Sequence, residues 1–584
     1  MWVENDHYTS LSASLSLEAE PLPVPDSSNL PDDLVETVTK NSHLFRIVTK
    51  LRVDRLEAYL RNHPNRPLVE WVLDGIKHGF YPRVEGDFAT HPSNYDGSRR
   101  IGRQEEALAF EQCIEEVKAG RYSEPFDNLL PGMHVLPQCV INKNNKPRVV
   151  MDNTSGPYAP NSILPRKQYS VKGDKFEDFL RTLCQASLVH NKELTLFKSD
   201  VSKAYRILPM HPYWQVRQVL KIQGQYYIDR CNSFGCRASG YIFVVFYSLV
   251  MWVAENNRGI QHLYAYIDDN FSYDLKDNMA EYKPYGICLP KKQVDLLTLW
   301  DDLEIPHEIK KQEHGQQLDI IGHTVNVQTM RVLMPEKTKS KILDAISRFS
   351  ETGERSISYG ECQTLVGLIG WAATFLPQSQ IVASSLREMT SGIKSNTPKT
   401  CLLELNEDIV KEFDWLAAHI RNWEGYPFYR MISSKAFTIH CEATPIGIGF
   451  YCANNNRGYY EQVPPDVQHV EDAYVFAIVQ AIKWACSVRP HRECIRILCS
   501  SCVVIKMFQS YRPTKVEYNK FLMYVADVIM ERNIDLQVSS DITRGPDLEI
   551  ACLLASNRLS KIKSISPHFK LVSQGKRGTE SSTQ

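Results

Sequence analysis

Hydrophobic and polar positions change their spacing several times along the chain. From Leu194 to about Val327, strand-like runs alternate with helical stretches, and from Pro335 to about Asn422 the apolar residues recur at helical spacing. A second β-rich stretch begins at Ala436 and is followed by a helix (Ala473–Ala485) and a strand (Ile495–Cys499). Over 584 residues, this order predicts an α+β protein of several domains.

Less regular segments lie at both ends and near residue 142. Residues 9–35 are rich in Ser, Pro, Asp and Glu, which is typical of a flexible leader, so residues 1–60 are predicted as this leader with a helical extension. Residues 563–584 are polar and are predicted to form a disordered tail. Two strand-like runs, His134–Ile141 and Pro147–Met151, flank a polar segment and predict a β-hairpin.

Composition and charge exclude several classes of protein. Hydrophobic residues make up 43% and charged residues 23%, as in soluble proteins with hydrophobic cores, and a net charge of -1 means that any basic track is local. The 15 scattered cysteines favour reduced thiols in an intracellular protein, cytoplasmic or nuclear, over a disulfide framework. The most apolar run, Tyr241–Ala254, is shorter than the roughly 20 residues that span a bilayer. It predicts a buried core helix and no membrane role.

Adjacent acids mark the strongest candidate site. Asp268 and Asp269 lie between the β-rich runs His262–Ile267 and Phe271–Tyr273, so a hairpin would place both carboxylates at its turn. Such acids repel each other unless a cation lies between them. Taken alone, such a pair is common and usually marks only a solvated turn.

Two further segments change this interpretation. Asp200 ends an apolar strand in a segment that continues to Tyr205, although a helix N-cap is an alternative role. Gly235 lies in a turn that leads through Ser239 into the long apolar helix.

In order and spacing, these segments resemble the palm of a reverse transcriptase. Motif A holds Asp200 and Tyr205, motif B holds Gly235, Ser239 and Phe243, and motif C is Tyr266-Ile267-Asp268-Asp269. The resemblance implies a right-hand polymerase of fingers, palm and thumb. It implies two Mg²⁺ ions, with Mn²⁺ as an alternative, on Asp200 and Asp268 with support from Asp269. Tyr205 would lie under the incoming sugar and exclude a 2′ hydroxyl, and a core aromatic is its alternative role.

Flanking residues extend the resemblance. Lys143 and Arg148 on the predicted hairpin match the residues that hold the dNTP triphosphate, with solvated hairpin charges as the alternative. Lys311 matches the motif D lysine that protonates pyrophosphate, although Lys310 beside it leaves the choice open. Gly235, Ser239 and Tyr266 are expected to contact substrate. The implied partners are an RNA template, a DNA primer, an RNA–DNA hybrid and dNTPs, and the oligomeric state stays open.

The same resemblance suggests a subfamily and a domain order. The segments His63-Pro64-Asn65 and Gly79-Phe80 are most similar to LTR-type retrotransposons with a tyrosine recombinase (DIRS-like). Residues 61–330 would form fingers and palm, 331–433 a helical thumb and connection, and 434–562 an α/β domain that resembles ribonuclease H.

The predicted ribonuclease H-like domain lacks three of the four acids of its family. The four metal-binding positions correspond to Glu442, Tyr474, Ser500 and Cys552, and Glu471 could substitute only after a shift of register. Neutral groups do not hold two hard cations, so the domain is expected to be inactive. This loss allows a rival interpretation, a decayed or domesticated retroelement protein that binds nucleic acid without catalysis. An RNA-templated RNA polymerase is disfavoured by Tyr205 and by the trailing domain.

Overall fold

A computed structural model describes residues 10–24, 28, 30–85, 91–99, 101–143, 146–167, 169, 173–190, 193–394, 396–427, 436–463, 467, 469–488, 494–532, 534–540 and 545–572, without the side chains of 142–148. The chain divides into two compact units, Met1–Arg331 and Val332–Gln584. This division lies one residue from the boundary predicted between palm and thumb. The predicted α+β multidomain class is confirmed.

The first unit contains nine helices and fourteen strands among its described residues. In chain order they are α1 (Leu11–Glu18), α2 (Asp32–Lys40), α3 (Val53–Tyr59), α4 (Arg66–His78), β1 (Tyr95–Asp96), α5 (Arg103–Lys118), β2 (His134–Val135), β3 (Gln138–Lys143), β4 (Lys146–Met151), α6 (Phe176–Val189), β5 (Leu194–Val201), α7 (Pro212–Gln215), β6 (Val219–Ile222), β7 (Gln225–Ile228), α8 (Ser239–Asn256), β8 (Tyr264–Tyr266), β9 (Asp269–Leu275), β10 (Met279–Tyr282), β11 (Ile287–Pro290), α9 (Lys291–Leu303), β12 (His307–Gly315), β13 (Gln317–Ile320) and β14 (His323–Asn326). Strand β15 (Arg331–Leu333) spans the division between the units.

An antiparallel sheet with the order β12-β5-β9-β8 forms the centre of this unit. Helix α8 packs in the same core, because most of its side chains are apolar and buried. It is the one described helix that is long and apolar enough to cross a membrane, and 72% of it is buried within the protein. It is therefore the core helix that the sequence predicts for residues 241–254.

The hairpin predicted from the runs 134–141 and 147–151 is present. Strands β3 and β4 pair from Gln138↔Met151 to Lys143↔Lys146, so both strands extend into the predicted polar segment. Strands β13 and β14 form another hairpin, paired from Gln317↔Asn326 to Ile320↔His323.

The predicted flexible leader is wrong for residues 11–18, which form α1. Ser12, Ala13 and Ser16 of this helix are buried in the core of the first unit or hydrogen-bonded to it. The composition predicted disorder because serine is usually exposed to solvent. Here the hydroxyls of Ser12 and Ser16 are buried and form hydrogen bonds with residues far along the chain. Residues 1–9, 25–27 and 29 of the leader lie outside the described residues.

The second unit begins with helices and ends in an α/β layer. Its described elements are α10 (Glu336–Glu351), β16 (Ser356–Ser358), α11 (Tyr359–Ala372), α12 (Gln380–Met389), β17 (Leu402–Glu404), α13 (Glu407–Asn422), β18 (Tyr426–Pro427), β19 (Phe437–Ala443), β20 (Gly447–Cys452), β21 (Arg457–Gln462), α14 (Val470–Val488), β22 (Cys494–Cys499), α15 (Cys502–Ser510), α16 (Asn519–Arg532), β23 (Asp535–Ser540), α17 (Pro546–Ala555), α18 (Leu559–Ile565) and β24 (Lys570–Leu571). Ser358 and Glu361 form a capping box that starts α11, and Leu365, Ile369 and Ala372 follow on its buried face.

The sheet of this layer has the order β23-β22-β19-β20-β21-β24. Strands β19, β20 and β21 are antiparallel, whereas β22 and β23 run parallel to β19. The predicted disordered tail is wrong for residues 563–572, because they complete α18 and add β24 in parallel to β21. Residues 573–584 lie outside the described residues.

Candidate active site

Three acidic residues meet at one end of the central sheet. Strand β5 pairs with β9 so that Asp200 lies directly opposite Asp269. Asp268 occupies the turn before β9, and its carbonyl accepts a hydrogen bond of 3.3 Å from the Val201 amide. Directly opposed residues of an antiparallel pair share a face of the sheet. The structure thus brings together the three acids that the sequence singled out, with Asp200 at a strand end and not at a helix N-cap.

The turn that carries Asp268 is strained. Tyr266 pairs with Asp269, so only Ile267 and Asp268 connect β8 to β9. Two-residue hairpin turns favour positive φ and therefore Gly or Asn, yet Ile267 adopts a φ of 61°. A β-branched residue in this region is destabilising by about 1–3 kcal/mol and persists only where its surroundings hold it. Tyr266 beside it is 44% exposed and so accessible to a substrate.

The acids repel one another. Burial raises the pKa of Asp268 to about 6, and the charges of Asp200 and Asp269 contribute to this rise. Burial and the charge of Asp200 also raise the pKa of Asp269. One carboxylate oxygen of Asp200, Oδ1, is buried and has no hydrogen-bond partner among the described residues. The cluster therefore holds more negative charge than its protein surroundings neutralise.

Lys311 forms an ion pair with the cluster. Its Nζ lies 3.0 Å from Asp200 Oδ2, and its charge opposes the rise in the pKa of Asp268. The charges of Lys198 and Lys311 oppose the rise in the pKa of Asp269. The pairing of β12 with β5 shifts register between His307 and Gln312, and such irregularities redirect side chains near functional sites. Lys310 points away, with its Nζ 2.6 Å from Glu308 and its side chain 76% exposed. Of the two lysines that the sequence left open, Lys311 faces the acids.

The donor chemistry of the cluster fits a hard divalent cation, although the arrangement is not preformed. Carboxylate oxygens are the ligands that Mg²⁺ prefers, and the mutual repulsion and the unpaired oxygen are what a cation would relieve. As they stand, no three His, Cys, Asp or Glu side chains in the described part of the chain are arranged to hold a metal ion. The ion pair with Lys311 accounts for one oxygen of Asp200. The other oxygen of Asp200, Oδ1, is the one that this ion pair leaves for a cation.

Tyr205 lies beside the acids in a 3₁₀ turn, Ala204–Ile207. Its ring packs at centroid distances of 4.9 Å on Phe234 and 5.6 Å on Phe243, which is in α8. Burial and the charge of Asp268 raise the pKa of Tyr205, so its hydroxyl stays protonated. The side chain is half-buried.

A buried ion network anchors this turn, and sequence reasoning missed it. Arg206 Nη1 lies 2.7 Å from Asp229 Oδ2, and Arg206 Nη2 lies 2.9 Å from Glu116 Oε2. Arg121 donates two hydrogen bonds of 2.7 Å to the same Glu116 carboxylate. Although burial opposes it, the hydrogen bonds and charges of Arg121 and Arg206 lower the pKa of Glu116 to about 2. No local spacing signals this network, because its members come from separate elements.

The motif B turn is fixed by close backbone contacts. Gly235 has a φ of 99°, and a Cβ there would lie 2.7 Å from the Met151 carbonyl oxygen at the end of β4. Asn161 donates a hydrogen bond of 2.9 Å to the Gly235 carbonyl and accepts one of 2.7 Å from the Arg237 amide. The close approach that needs glycine is therefore to the β3–β4 hairpin.

The outcome differs among three residues that the sequence predicts as substrate contacts. Ser239 is 1% exposed, and its Oγ donates a hydrogen bond of 2.6 Å to the Ser233 carbonyl. The prediction that Ser239 contacts substrate is wrong, because its only hydroxyl closes the turn before α8. Lys143 and Arg148 lie on the predicted hairpin, but their side chains lie outside the described part of the structure.

The four side chains that the sequence predicts as a degenerate metal site in the second unit also lie together. Tyr474 Oη donates a hydrogen bond of 2.6 Å to Glu442 Oε2, and Ser500 Oγ donates one to Glu442 Oε1. Burial and the charge of Glu442 raise the pKa of the Cys552 thiol to about 11, so it stays neutral. Neutral hydroxyl donors thus satisfy the single carboxylate.

Comparisons with known proteins give distant likenesses to solved structures. No family model and no curated protein matches the sequence. The chain is similar to the foamy viral protease-reverse transcriptase dRH in complex with double-stranded DNA, with 13% identity over 86% of this chain and 83% of that chain and a TM-score of 0.45. It is similar to the foamy viral protease-reverse transcriptase in complex with an RNA/DNA hybrid (14% identity, 86% and 64% covered, TM-score 0.45) and in complex with double-stranded DNA (13% identity, 86% and 99% covered, TM-score 0.44). At this level of similarity the likeness does not bear on activity.

Proposed function

We propose that this protein is an RNA-directed DNA polymerase of a retroelement, which extends a DNA primer on an RNA template with dNTPs. The observation that carries the proposal is the meeting of Asp200, Asp268 and Asp269 at one sheet end, with Tyr205 beside them. The DIRS-like assignment rests on short sequence segments and is part of this proposal.

The mechanism assigns each residue a role. Asp200 and Asp268 would hold two Mg²⁺ ions, or Mn²⁺, with Asp269 in support. When bound, such ions activate the primer 3′ hydroxyl and stabilise the leaving pyrophosphate. Lys311 leaves Asp200 and donates a proton from Nζ to the pyrophosphate.

The remaining residues select and hold the nucleotide. The Tyr205 ring, packed on Phe234 and Phe243, blocks the space of a ribose 2′ hydroxyl. Lys143 and Arg148 neutralise the triphosphate, and the planar guanidinium of arginine suits phosphate geometry.

Primer extension with Asp268→Asn tests the proposal. We expect extension of oligo-dT on poly-rA in Mg²⁺ by the parent protein and a loss of more than about a thousandfold in the variant, because the acid is a main cation ligand. The matched control is Asp277→Asn, an exposed acid in the turn that follows β9. Undiminished extension by Asp268→Asn, or equal losses in both variants, would remove the metal assignment.

Nucleotide discrimination tests Tyr205. We expect Tyr205→Val to incorporate ribonucleotides at least tenfold better relative to dNTPs, because the smaller side chain opens the space beside the sugar. The ratio of the two rates in one preparation is the readout, so a general loss of activity does not affect it. An unchanged ratio would show that Tyr205 is only a core aromatic.

We propose that the α/β layer of the second unit is a ribonuclease H-like domain without cleavage activity. Its strand order, and the neutral groups around Glu442, support this proposal. A labelled RNA–DNA hybrid incubated with the Asp268→Asn protein and Mg²⁺ or Mn²⁺ should remain intact. Metal-dependent loss of RNA would contradict the proposal.

A second candidate function is a nucleic-acid-binding module without catalysis. The ion pair between Lys311 and Asp200 favours it, because in a domesticated protein the lysine could neutralise the acids in place of a cation. The two candidates separate in the primer-extension assay, where this one predicts hybrid binding by the parent with no incorporation.

A further inference from the structure

Strand β8, which leads into the turn that carries Asp268, is one of the two edge strands of the central sheet. Edge strands leave backbone groups unpaired on their outer side. Here Ala265, in the middle of β8, donates a hydrogen bond of 2.7 Å to Asp174 Oδ2 and accepts one of 3.0 Å from the Asp174 amide. Ser12 Oγ also donates to the Ala265 carbonyl at 3.0 Å and to Asp174 Oδ2 at 2.8 Å. An aspartate and a serine thus occupy the place of a fifth strand.

The serine reaches this position because α1 is fixed at both ends. Before the helix, the Ser10 amide donates a hydrogen bond of 3.0 Å to Glu255 Oε1. At its last turn, Ser16 Oγ and His63 Nε2 are hydrogen-bonded at 2.9 Å. Asn65 Nδ2 donates to the Ser16 and Ala19 carbonyls at 3.1 and 2.9 Å. The His63-Pro64-Asn65 segment, which the reaction does not use, therefore holds α1 in place.

The catalytic turn needs such support. Ile267 holds a left-handed backbone conformation that its side chain disfavours, and strained residues persist only where neighbouring structure over-determines them. Gly173 packs so closely on β8 that a Cβ there would lie 2.7 Å from Tyr266 Cδ2 and 3.3 Å from the Ala265 carbonyl oxygen. The segment Gly173–Asp174 and Ser12 thus hold the strand directly before the strained turn.

We propose that Ser12 and Asp174 are positioning residues of the polymerase site: through Ala265 they fix β8, and through β8 they fix Asp268 opposite Asp200. Helix α1 acts as a strap that lets Ser12 reach the sheet edge. This inference rests on the proposed polymerase function for its consequence in catalysis, but its structural part can be measured without activity.

The test compares Ser12→Ala with Ser14→Ala in the full chain. Ser14 lies two residues after Ser12 in the same helix. Among the described residues, its hydroxyl donates to the Ser10 carbonyl of its own segment. We expect Ser12→Ala to increase amide hydrogen exchange in residues 264–269 about tenfold, with exchange in the second unit unchanged. In primer extension, kcat should fall about tenfold, which corresponds to about 1.4 kcal/mol, while the KM for dNTP stays unchanged. Ser14→Ala should match the parent protein, and Ser12→Thr, which keeps the hydroxyl, should recover most of the loss.

The outcomes separate this inference from the proposed function. Unchanged exchange at 264–269 in Ser12→Ala and in Asp174→Asn would overturn it, as would an equal effect of Ser14→Ala. Faster exchange spread evenly over the first unit would also overturn it, because it would indicate a general loss of stability. If the parent does not extend a primer, the proposed function fails, whereas the local exchange measurement still decides whether Ser12 holds β8.

Discussion

Replacing Asp268 by Asn removes one charge from the tip of the β8–β9 hairpin without changing the shape of the side chain. Burial, with the charges of Asp200 and Asp269, raises the pKa of Asp268 from 3.8 to about 6. One pKa unit corresponds to about 1.4 kcal/mol, so the ionised carboxylate destabilises the metal-free fold by at most about 3 kcal/mol. Asp268 keeps contact with solvent, which screens its charge, so we expect Asp268→Asn to stabilise the fold by about 1–2 kcal/mol at pH 7.

The pH dependence of this gain follows from proton binding. Because the pKa is higher in the folded state, folded protein keeps the proton between about pH 4 and 6, where the unfolded chain has released it. The contribution of Asp268 to stability therefore falls as the pH rises through this window and is lowest above it. The difference between Asp268→Asn and the parent should be largest above pH 6 and should vanish below about pH 4.

Thermal unfolding in EDTA from pH 4 to 8, followed by titration with Mg²⁺, measures both effects. For a unit of this size, 1–2 kcal/mol corresponds to a rise in Tm of about 2–8 °C. Mg²⁺ should then raise the Tm of the parent, because a ligand that binds only the folded state stabilises it, and should leave the variant unchanged. Asp277→Asn serves as the control. A variant less stable than the parent at pH 7 in EDTA would refute the argument that the acids repel without a cation.

Three further predictions concern stability. Arg206→Met should destabilise the first unit by about 3–5 kcal/mol in denaturant titration, because Glu116 and Asp229 stay buried without their cation. The control is Arg181→Met, which breaks an exposed ion pair and should change stability by less than about 1 kcal/mol. Gly235→Ala should lower stability by about 1–3 kcal/mol and reduce extension, because its φ is positive and a backbone oxygen fills the space of a Cβ; wild-type stability would contradict this. Tyr474→Phe should cost about 1–3 kcal/mol, because Glu442 loses a donor, and Mg²⁺ should not restore it; restoration would indicate a metal site.

Patterns within short windows predicted the elements that carry the site. The alternation around residues 262–273 predicted the hairpin, and the apolar run before Asp200 predicted its strand, because these signals are local. The sequence could not choose between Lys310 and Lys311, since an irregularity in strand pairing decides which lysine faces the acids. It also placed Ser239 among the substrate contacts, although the carbonyl that accepts its hydrogen bond is only visible once the turn is folded.

Helix α1 and the buried ion network of Arg206 could not be predicted from short windows of sequence. Ser12 belongs to a segment whose composition predicts disorder, yet its partners, Asp174 and Ala265, lie far along the chain. Arg206 likewise pairs with acids from two other elements.

By itself, the amino-acid sequence determined the class of fold, the strand that ends with Asp200, the hairpin whose turn bears Asp268, and the absence of acids at Tyr474, Ser500 and Cys552. Only the tertiary structure decided which polar groups are buried and what satisfies them. The physical reason is that periodicity depends on neighbours in the chain, whereas desolvation of a polar group is offset by partners that folding brings from any distance.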